Sequence, residues 1–279
     1  MYLGYNTNGL PHHATMDALE VISSLGYRGV ALTLDHHCLP PGGATLASDL
    51  AAVRRRLREL DLNIVIETGG RFLLDRFRKH YPTLMTTDRS DRDRRIAFYR
   101  HALDVAESLG ARVVSLWSGI RTDEGPRAPA LDRLVQGLGP ILDDAHRRGL
   151  EIAFEPEPGM FVETMAQFEE MDKNIQHPAL QLTLDVGHVC CVETQSIPDV
   201  VTVWGKRIRN IHIEDMRPGI HEHLFFGDGA IDFPPVFAAL SRIGYSRGVF
   251  VELSRHGHDG PEIARRSMEF LRPLIPSVR

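Results

Sequence analysis

The chain has 279 residues, of which 43% are hydrophobic and 25% are charged, a composition typical of a folded protein and not of a disordered one. Its 32 basic and 37 acidic residues give a formal net charge of −5. This slightly acidic balance argues against a nucleic-acid partner or an anionic membrane surface, since both favour strongly basic faces.

The cysteines and the first residues indicate the compartment. Cys38, Cys190 and Cys191 are the only cysteines and have no CxxC spacing, so we expect a reducing compartment and no cysteine zinc site. The opening MYLGYNTNGLPHH lacks the basic and apolar regions of a signal peptide. No apolar stretch approaches the roughly 18 residues of a membrane helix. The sequence therefore predicts a soluble, cytoplasmic protein with no membrane partner.

Eight short apolar segments, separated by longer amphipathic ones, predict eight strands. They are mostly rich in Val, Ile and Leu, as expected of strands that are buried on both faces. The predicted strands are Tyr2–Tyr5, Gly29–Leu34, Asn63–Ile66, Arg112–Leu116, Glu151–Phe154, Gln181–Leu184, Ile208–Ile213 and Gly248–Val251.

The segments between the predicted strands carry apolar residues at three- and four-residue spacing, which is typical of amphipathic helices. Gly110 is suited to end the helix before the fourth strand, and Thr164 with Gln167 resembles a capping box. Pro140 lies inside the predicted helix Ala128–Arg148, where we expect a kink or a break.

Alternating strands and helices predict an α/β fold with a parallel sheet, and eight such units predict closure into a (β/α)₈ TIM barrel. An open doubly wound sheet is the alternative, but it usually has fewer strands, and the GxGxxG and GxxxxGK[ST] motifs do not occur. We expect one domain spanning residues 1–279. Thr68–Thr87 and Asp215–Phe233 are long irregular stretches, which in compact domains usually form lids or binding loops.

Polar residues stand at the ends of four successive predicted strands. Glu155 follows the fifth strand, Asp185 follows the sixth, His212 lies in the seventh and Glu252 follows the eighth. Because active sites of parallel barrels lie at the carboxyl ends of the strands, we expect these side chains to converge. Such a donor set suits Mn²⁺ or Mg²⁺ and tolerates Co²⁺ or Zn²⁺. The sequence therefore predicts one divalent metal ion.

Each of these residues also has an ordinary structural interpretation. An acidic residue at a strand end is commonly a helix N-cap or a solvated loop residue. Four polar residues on successive strands are harder to explain in this way, because converging carboxylates without a cation repel one another and take up protons. Glu157 is the alternative to Glu155, since both lie in EPEP, but Glu155 continues the strand directly.

Other polar residues are candidates for a substrate pocket. Glu67 ends the third predicted strand and Trp117 the fourth, and the alternative is that both pack at the barrel rim. The segment His223–Gly229 is a candidate lid. The remaining histidine-rich positions are interpreted as loop residues. Substrate contact is the alternative for His12, His13, His36 and His37, and a second metal is the alternative for His256, His258 and the nearby Asp259.

Several motifs resemble those of a known family. DVGH, HIEDMR, FGDGAIDFPPVFAAL and VFVEL occur in this order. Together they are similar to the sugar phosphate isomerase/epimerase family with a xylose isomerase-like TIM barrel, whose relatives include ketose 3-epimerases, hydroxypyruvate isomerases, inosose dehydratases and type IV endonucleases. The resemblance implies that His188 and Arg217 contact substrate oxygens near a metal. The ligands that it implies for this metal are Glu155, Asp185, His212 and Glu252.

The resemblance and the oxygen-rich site predict an isomerase or epimerase of a small sugar, sugar phosphate or related α-hydroxy ketone. The metal is expected to act as a Lewis acid, which lowers the pKa of a carbon-bound proton and stabilises an enediolate. Glu155 and Glu252 are the predicted acid/base pair that removes and returns this proton. The sequence leaves open which of them acts first and whether the protein is a homo-oligomer.

Three other functions are weighed against this one. A dehydratase acting on a cyclitol ketone or similar compound shares the step of proton abstraction. A phosphodiesterase of the type IV endonuclease kind needs extra histidine ligands after the third and fourth strands, where Glu67 and Trp117 stand instead. A noncatalytic sugar-binding barrel has no need of four convergent polar groups.

Overall fold

Eight parallel strands close into a barrel in the computed structural model, which describes residues 1–275. Neighbours around the barrel follow the chain order, and the last strand pairs with the first. The barrel strands are β1 (Tyr2–Asn6), β2 (Gly29–Thr33), β3 (Asn63–Glu67), β4 (Val113–Trp117), β5 (Glu151–Glu155), β6 (Leu180–Asp185), β7 (Ile208–Ile213) and β10 (Gly248–Val251). A separate antiparallel pair, β8 (Asp215–Arg217) and β9 (Ile220–Leu224), follows β7. The predicted (β/α)₈ TIM barrel is confirmed.

Helices lie between successive strands in the chain. They are α1 (Thr15–Ser24), α2 (Leu46–Glu59), α3 (Arg89–Leu109), α4 (Arg127–Arg147), α5 (Met165–Ile175), α6 (Val186–Val192), α7 (Ile197–Trp204), α8 (Phe233–Arg242) and α9 (Gly260–Leu271). Among residues 1–275, no helix combines the length and the apolar character that crossing a bilayer requires.

Local sequence signals fix several helix ends. α3 ends at Gly110, which has a φ of 79°, a left-handed conformation that glycine adopts without steric strain. At the start of α5, the Thr164 side chain accepts a hydrogen bond from the Gln167 amide at 3.2 Å. The Gln167 side chain accepts from the Thr164 amide in return. The capping box expected from the sequence is therefore present.

Pro140 does not break α4, so the expected break is wrong. The helix runs continuously from Arg127 to Arg147. Leu138, Ile141 and Leu142 beside the proline are buried, and burial of this apolar face stabilises the helix around it. Pro140 itself is exposed, so the backbone carbonyl that loses its partner lies on a side of the helix where water can hydrogen-bond it.

The interior of the barrel changes from apolar to polar along its axis. At the amino-terminal end Phe250 fills space left by glycines, because a Cβ on Gly4 would lie 2.2 Å and one on Gly248 2.4 Å from its ring. Nearer the carboxyl end Ser115 and Thr183 are buried, with their hydroxyl oxygens 2.9 Å apart. Side chains alternate along a strand, so every second residue points into the barrel. Each step of two residues along a strand therefore brings the inward side chain closer to the polar carboxyl end.

We expect Thr164→Ala to lower the free energy of unfolding by about 1 kcal/mol, because the Gln167 amide loses its capping acceptor. Urea denaturation measures this change, and the m-value should stay constant. Thr202→Ala is the matched control, since its hydroxyl donates to the Pro198 carbonyl within α7 and caps no helix. We expect this control to change stability by less than about 0.5 kcal/mol. Equal losses in the two variants would contradict the capping role.

Candidate metal centre

Four polar side chains converge at the carboxyl end of the barrel. Each of them offers one donor atom, and these four atoms all lie within 4.8 Å of one another. The parallel register brings them level, since Asp185 of β6 is aligned with His212 of β7, and His212 is aligned with Phe250, two residues before Glu252. The four residues are those expected from the sequence, namely Glu155, Asp185, His212 and Glu252.

His212 lies among carboxylates. Its Nδ1 atom is 2.8 Å from Glu252 Oε2 and 3.1 Å from Glu155 Oε1, and its Nε2 atom is 2.9 Å from Glu67 Oε1. Burial alone would lower the pKa of His212, but Glu67, Glu252 and Glu155 outweigh it and raise this pKa well above its ordinary value. The surroundings thus favour a positive charge at this point.

The two glutamates respond differently to this environment. Burial raises the pKa of Glu155 well above its ordinary value, although His212 opposes the effect. Burial also raises the pKa of Glu252, but contact with His212 lowers it by more. The pKa of Glu252 therefore lies below its ordinary value. Because buried carboxylates need a compensating charge, a divalent cation among them would take over the role of the histidine proton.

One carboxylate oxygen of Asp185 caps a helix, and within residues 1–275 the other oxygen has no hydrogen-bond partner. Its Oδ1 accepts a hydrogen bond from the His188 amide at 2.7 Å and caps α6. Its Oδ2 is buried and has no hydrogen-bond partner among the described residues. A buried carboxylate oxygen without a partner is costly, and coordination of a cation would satisfy it. The donor set of three carboxylates and one imidazole fits a divalent metal.

A cavity of about 150 Å³ lies over this centre. Trp117 and Glu67 line it, as expected from the sequence, and so does Glu157. Glu157 does not join the four converging residues, and burial raises its pKa to about 8. A larger cavity of about 700 Å³ lies at the amino-terminal end of the barrel, away from these residues.

The loop after β3 contributes to this cavity. Gly69, Arg71, Lys79 and His80 of the long irregular stretch 68–87 all line it. Arg95 is buried and donates to the carbonyls of Pro82 and His80 at 2.6 and 2.7 Å. These bonds hold the loop over the cavity, so the expectation that this stretch shapes the pocket agrees with the structure.

Asn8 is a site residue that the sequence analysis missed. Its side-chain nitrogen donates to Glu252 Oε1 at 2.7 Å, and Asn8 also lines the cavity. The residue follows β1, where the sequence reads YNTNG. The available signal was a polar residue just after a barrel strand. This signal is weak, because asparagine is common in turns whatever their function.

His188 lies beside the four converging residues, with Nδ1 3.5 Å from Glu155 Oε1 and Nε2 3.7 Å from Asp185 Oδ2. Burial lowers its pKa to about 4. His221 and His223 of β9 approach it, and one donor atom from each of the three histidines falls within a 4.8 Å group. The sequence analysis did not single out His221, although the alternating IHEHL places His221 and His223 on one face of a strand.

The segment His223–Gly229, a candidate lid in the sequence analysis, is tethered. Asp215 accepts hydrogen bonds from the amides of Gly227, Gly229 and Ile231 at 2.8 to 3.1 Å. A Cβ on Gly229 would lie 2.2 Å from Asp215 Oδ1, so this close approach requires glycine. His223 at the start of the segment lines the cavity.

Arg217 is not brought to the cavity. It is exposed at the end of β8 and donates to the Asp228 carbonyl at 2.7 Å, because the β8–β9 hairpin carries it away from the barrel axis. The segment with His256, His258 and Asp259 joins neither group of converging donors. His13 and His37 line a neighbouring cavity of about 120 Å³.

Similar proteins share this architecture. Residues 19–274 match a family described as xylose isomerase-like TIM barrel. The L-ribulose-5-phosphate 3-epimerase UlaE of Salmonella paratyphi C (strain RKS4594) is 23% identical over 273 residues, which cover 94% of this chain and 91% of that protein. UlaE of Escherichia coli (strain K12 / DH10B) is 23% identical over 272 residues with the same coverage.

Solved structures superpose over nearly the whole chain. D-allulose 3-epimerase from Methylomonas sp. has a TM-score of 0.80 at 19% identity and covers 99% of this chain and 98% of its own. The IOLI protein, solved with a bound zinc atom, has a TM-score of 0.77 at 19% identity and covers both chains completely. These likenesses establish a shared fold. Since the family match spans most of its length, the chain belongs to the xylose isomerase-like TIM barrel family.

Proposed function

We propose that the protein is a divalent-metal-dependent isomerase or epimerase of a small sugar, sugar phosphate or related α-hydroxy ketone. The observation that carries this proposal is the convergence of two glutamates, one aspartate and one histidine beneath a polar cavity. The names of similar proteins support it, since L-ribulose-5-phosphate 3-epimerase and D-allulose 3-epimerase are both sugar epimerases.

The four converging residues would hold the metal through three carboxylate oxygens and one imidazole nitrogen. This donor set favours Mn²⁺ or Mg²⁺ and tolerates Co²⁺ or Zn²⁺. When bound, the cation supplies Lewis acidity to the carbonyl and neighbouring hydroxyl oxygens of the substrate. The metal ligands that we propose are Glu155, Asp185, His212 and Glu252.

Glu155 and Glu252 are the proposed acid/base pair. Both carboxylates lie within 3.1 Å of Nδ1 of His212, so both face the same point. Asn8 orients Glu252 through its hydrogen bond to Oε1. One carboxylate accepts a proton from the carbon next to the substrate carbonyl, and either the same glutamate or the opposite one returns a proton. Return to the opposite face gives epimerisation, and return to the adjacent carbon gives isomerisation.

The lining of the cavity suits a polyhydroxy substrate. Arg71, Lys79 and Arg255 bring cationic donors that recognise hydroxyl or phosphate oxygens. Trp117 offers an apolar face to carbon-bound hydrogens. His188 is proposed to contact a substrate oxygen from beside Glu155, whereas the exposed position of Arg217 does not support such a role.

Removing divalent metal should lower the melting temperature, and adding Mn²⁺ to metal-free protein should restore it. A ligand that binds only the folded state at about one hundred times its dissociation constant stabilises that state by about 2.7 kcal/mol. Elemental analysis and thermal denaturation of chelator-treated and Mn²⁺-loaded protein measure the effect. Absence of bound metal together with absence of stabilisation would contradict the proposed centre.

Asp185→Asn tests the ligand role separately from the helix cap. The asparagine oxygen can still accept from the His188 amide, so the metal-free variant should fold like the native protein. We expect it to lose most of the Mn²⁺-dependent stabilisation, because a neutral amide replaces an anionic ligand. Asp259→Asn, at an exposed acidic residue outside the centre, is the matched control and should retain full stabilisation.

Glu155→Gln and Glu252→Gln should each reduce turnover by about 10²–10⁴-fold, because an amide cannot accept the carbon-bound proton. The assay follows a ketose in D₂O by NMR and records both the formation of its epimer or isomer and the exchange of its carbon-bound hydrogen with solvent. Both are needed, because a proton that returns without exchange is seen only in the product. Metal occupancy must be measured in each variant, since both residues are also proposed ligands.

The same assay separates the alternatives. Near-native turnover in both metal-loaded variants would exclude the acid/base roles. Loss of water with formation of a new double bond would identify a dehydratase. Binding of a ketose with neither product formation nor carbon-proton exchange would identify a noncatalytic sugar-binding barrel.

A further inference from the structure

His212 has a second contact that the proposed metal site does not use. Its Nδ1 faces the ligand carboxylates, while its Nε2 faces Glu67 Oε1 at 2.9 Å. Both side chains are buried, with Glu67 only 5% exposed and His212 only 1% exposed. β3 and β7 stand four places apart in the ring of eight strands, so this contact crosses the interior of the barrel.

A second side chain, that of Asn210, holds the Glu67 carboxylate in place. Asn210 Nδ2 donates to the same Oε1 atom at 2.9 Å and lies 3.1 Å from His212 Nε2. Because an amide nitrogen can only donate, Oε1 is an acceptor in its contact with Asn210, and the same oxygen faces His212 Nε2. Asn210 Nδ2 is also 3.4 Å from the Thr183 hydroxyl, which lies 2.9 Å from the Ser115 hydroxyl. A buried network therefore fixes the carboxylate.

This arrangement selects one form of the imidazole ring. A neutral histidine carries its proton on one nitrogen and a lone pair on the other. Carboxylates face both nitrogens, since Glu155 and Glu252 lie at Nδ1 and Glu67 lies at Nε2. A cation between Glu155 and Glu252 would displace the Nδ1 proton, and the carboxylate at Nε2 would then hold the remaining proton on Nε2 and leave the lone pair on Nδ1. The opposite form would place a proton between His212 and those carboxylates, where a cation could not then bind to Nδ1.

We propose that Glu67 is a positioning residue, which fixes His212 with its proton on Nε2 so that Nδ1 is available to the divalent cation. The inference rests on the proposed metal-dependent function. It assigns Glu67 a contact with the proposed ligand His212, in place of the substrate contact suggested by its position at a strand end. Carboxylate partners of metal-bound histidines orient the ring and increase its basicity.

Glu67→Gln tests the proposal through metal affinity, which needs no substrate. The amide is neutral and can present either oxygen or nitrogen to Nε2, so we expect the dissociation constant for Mn²⁺ to rise by about 10–100-fold. Competition with a fluorescent chelator measures it. Glu151→Gln is the matched control, because Glu151 is a partly buried carboxylate paired with Arg209 and Arg247 at the start of β5; its Mn²⁺ affinity should be unchanged.

A second readout addresses the ring itself. In Zn²⁺-loaded protein, two-bond ¹H–¹⁵N NMR correlations should show the His212 proton on Nε2. Glu67→Gln should leave the proton on this nitrogen but shift its ¹H resonance upfield and speed its exchange with water, because a neutral amide accepts a weaker hydrogen bond than a carboxylate. Glu67→Asp keeps the charge but withdraws the carboxylate by one methylene. We expect it to bind Mn²⁺ with an affinity between those of the native protein and the glutamine variant, and it serves as the test should the glutamine variant fail to fold.

Native Mn²⁺ affinity in Glu67→Gln and Glu67→Asp would overturn the proposal. Unchanged affinity with a raised KM would instead make Glu67 a direct substrate contact. A native protein that binds Mn²⁺ but neither converts a ketose nor exchanges its carbon-bound proton would contradict the proposed function and leave the positioning role standing. A native protein that binds no divalent metal would contradict both.

Discussion

Three carboxylates and one imidazole are buried together at one end of the barrel, and the neighbouring structure is arranged around their charge. Burying such groups is unfavourable unless each is paired or hydrogen-bonded. The α6 amide terminus satisfies one oxygen of Asp185, Asn8 donates to Glu252, and His212 contacts the two glutamates. The need to pair or hydrogen-bond each of these charged groups thus connects the strand ends with the first turn of α6 and with the loop after β1.

One wall of the site departs from the simple alternation of strand and helix. Between β7 and α8 the chain forms the β8–β9 hairpin, whose strand β9 brings His221 and His223 beside His188. Asp215 anchors the turn that follows by accepting three backbone amides. Asp215 lies two residues after the end of β7, the strand that carries His212, so the position of the turn is linked to that of the ligand strand.

The barrel was predictable because short apolar segments and longer amphipathic segments alternate along the chain. Strand bounds differ by at most one residue at either end, as for the predicted Gln181–Leu184 and the observed Leu180–Asp185. The β8–β9 hairpin was not predicted, since its strands are short and lack the apolar runs of the barrel strands. Pro140 was misjudged because tertiary packing of the residues beside it outweighs the lost hydrogen bond.

The candidate site was predictable to the extent that it lies at strand ends. Glu155, Asp185, His212 and Glu252 follow from strand position and parallel topology alone. Asn8 and His221 enter from a loop and from the hairpin, so their approach depends on folding that a linear pattern does not encode. The contact between Glu67 and His212 joins residues 145 positions apart across the barrel, and only the closed ring of strands brings them together.

The Phe250 ring, packed among Gly4, Gly29 and Gly248, has a consequence for the movement of protons. An interior packed in this way leaves no continuous path for water along the barrel axis. The polar layer above it then exchanges solvent with the bulk only through the opening at the carboxyl end. A substrate seated in that opening would shield the buried carboxylates from water, so a proton removed from the substrate would stay within reach of the carbon to which it returns. In the proposed reaction, the aromatic side chain at the base of the barrel would thereby favour return of the proton over its loss to solvent.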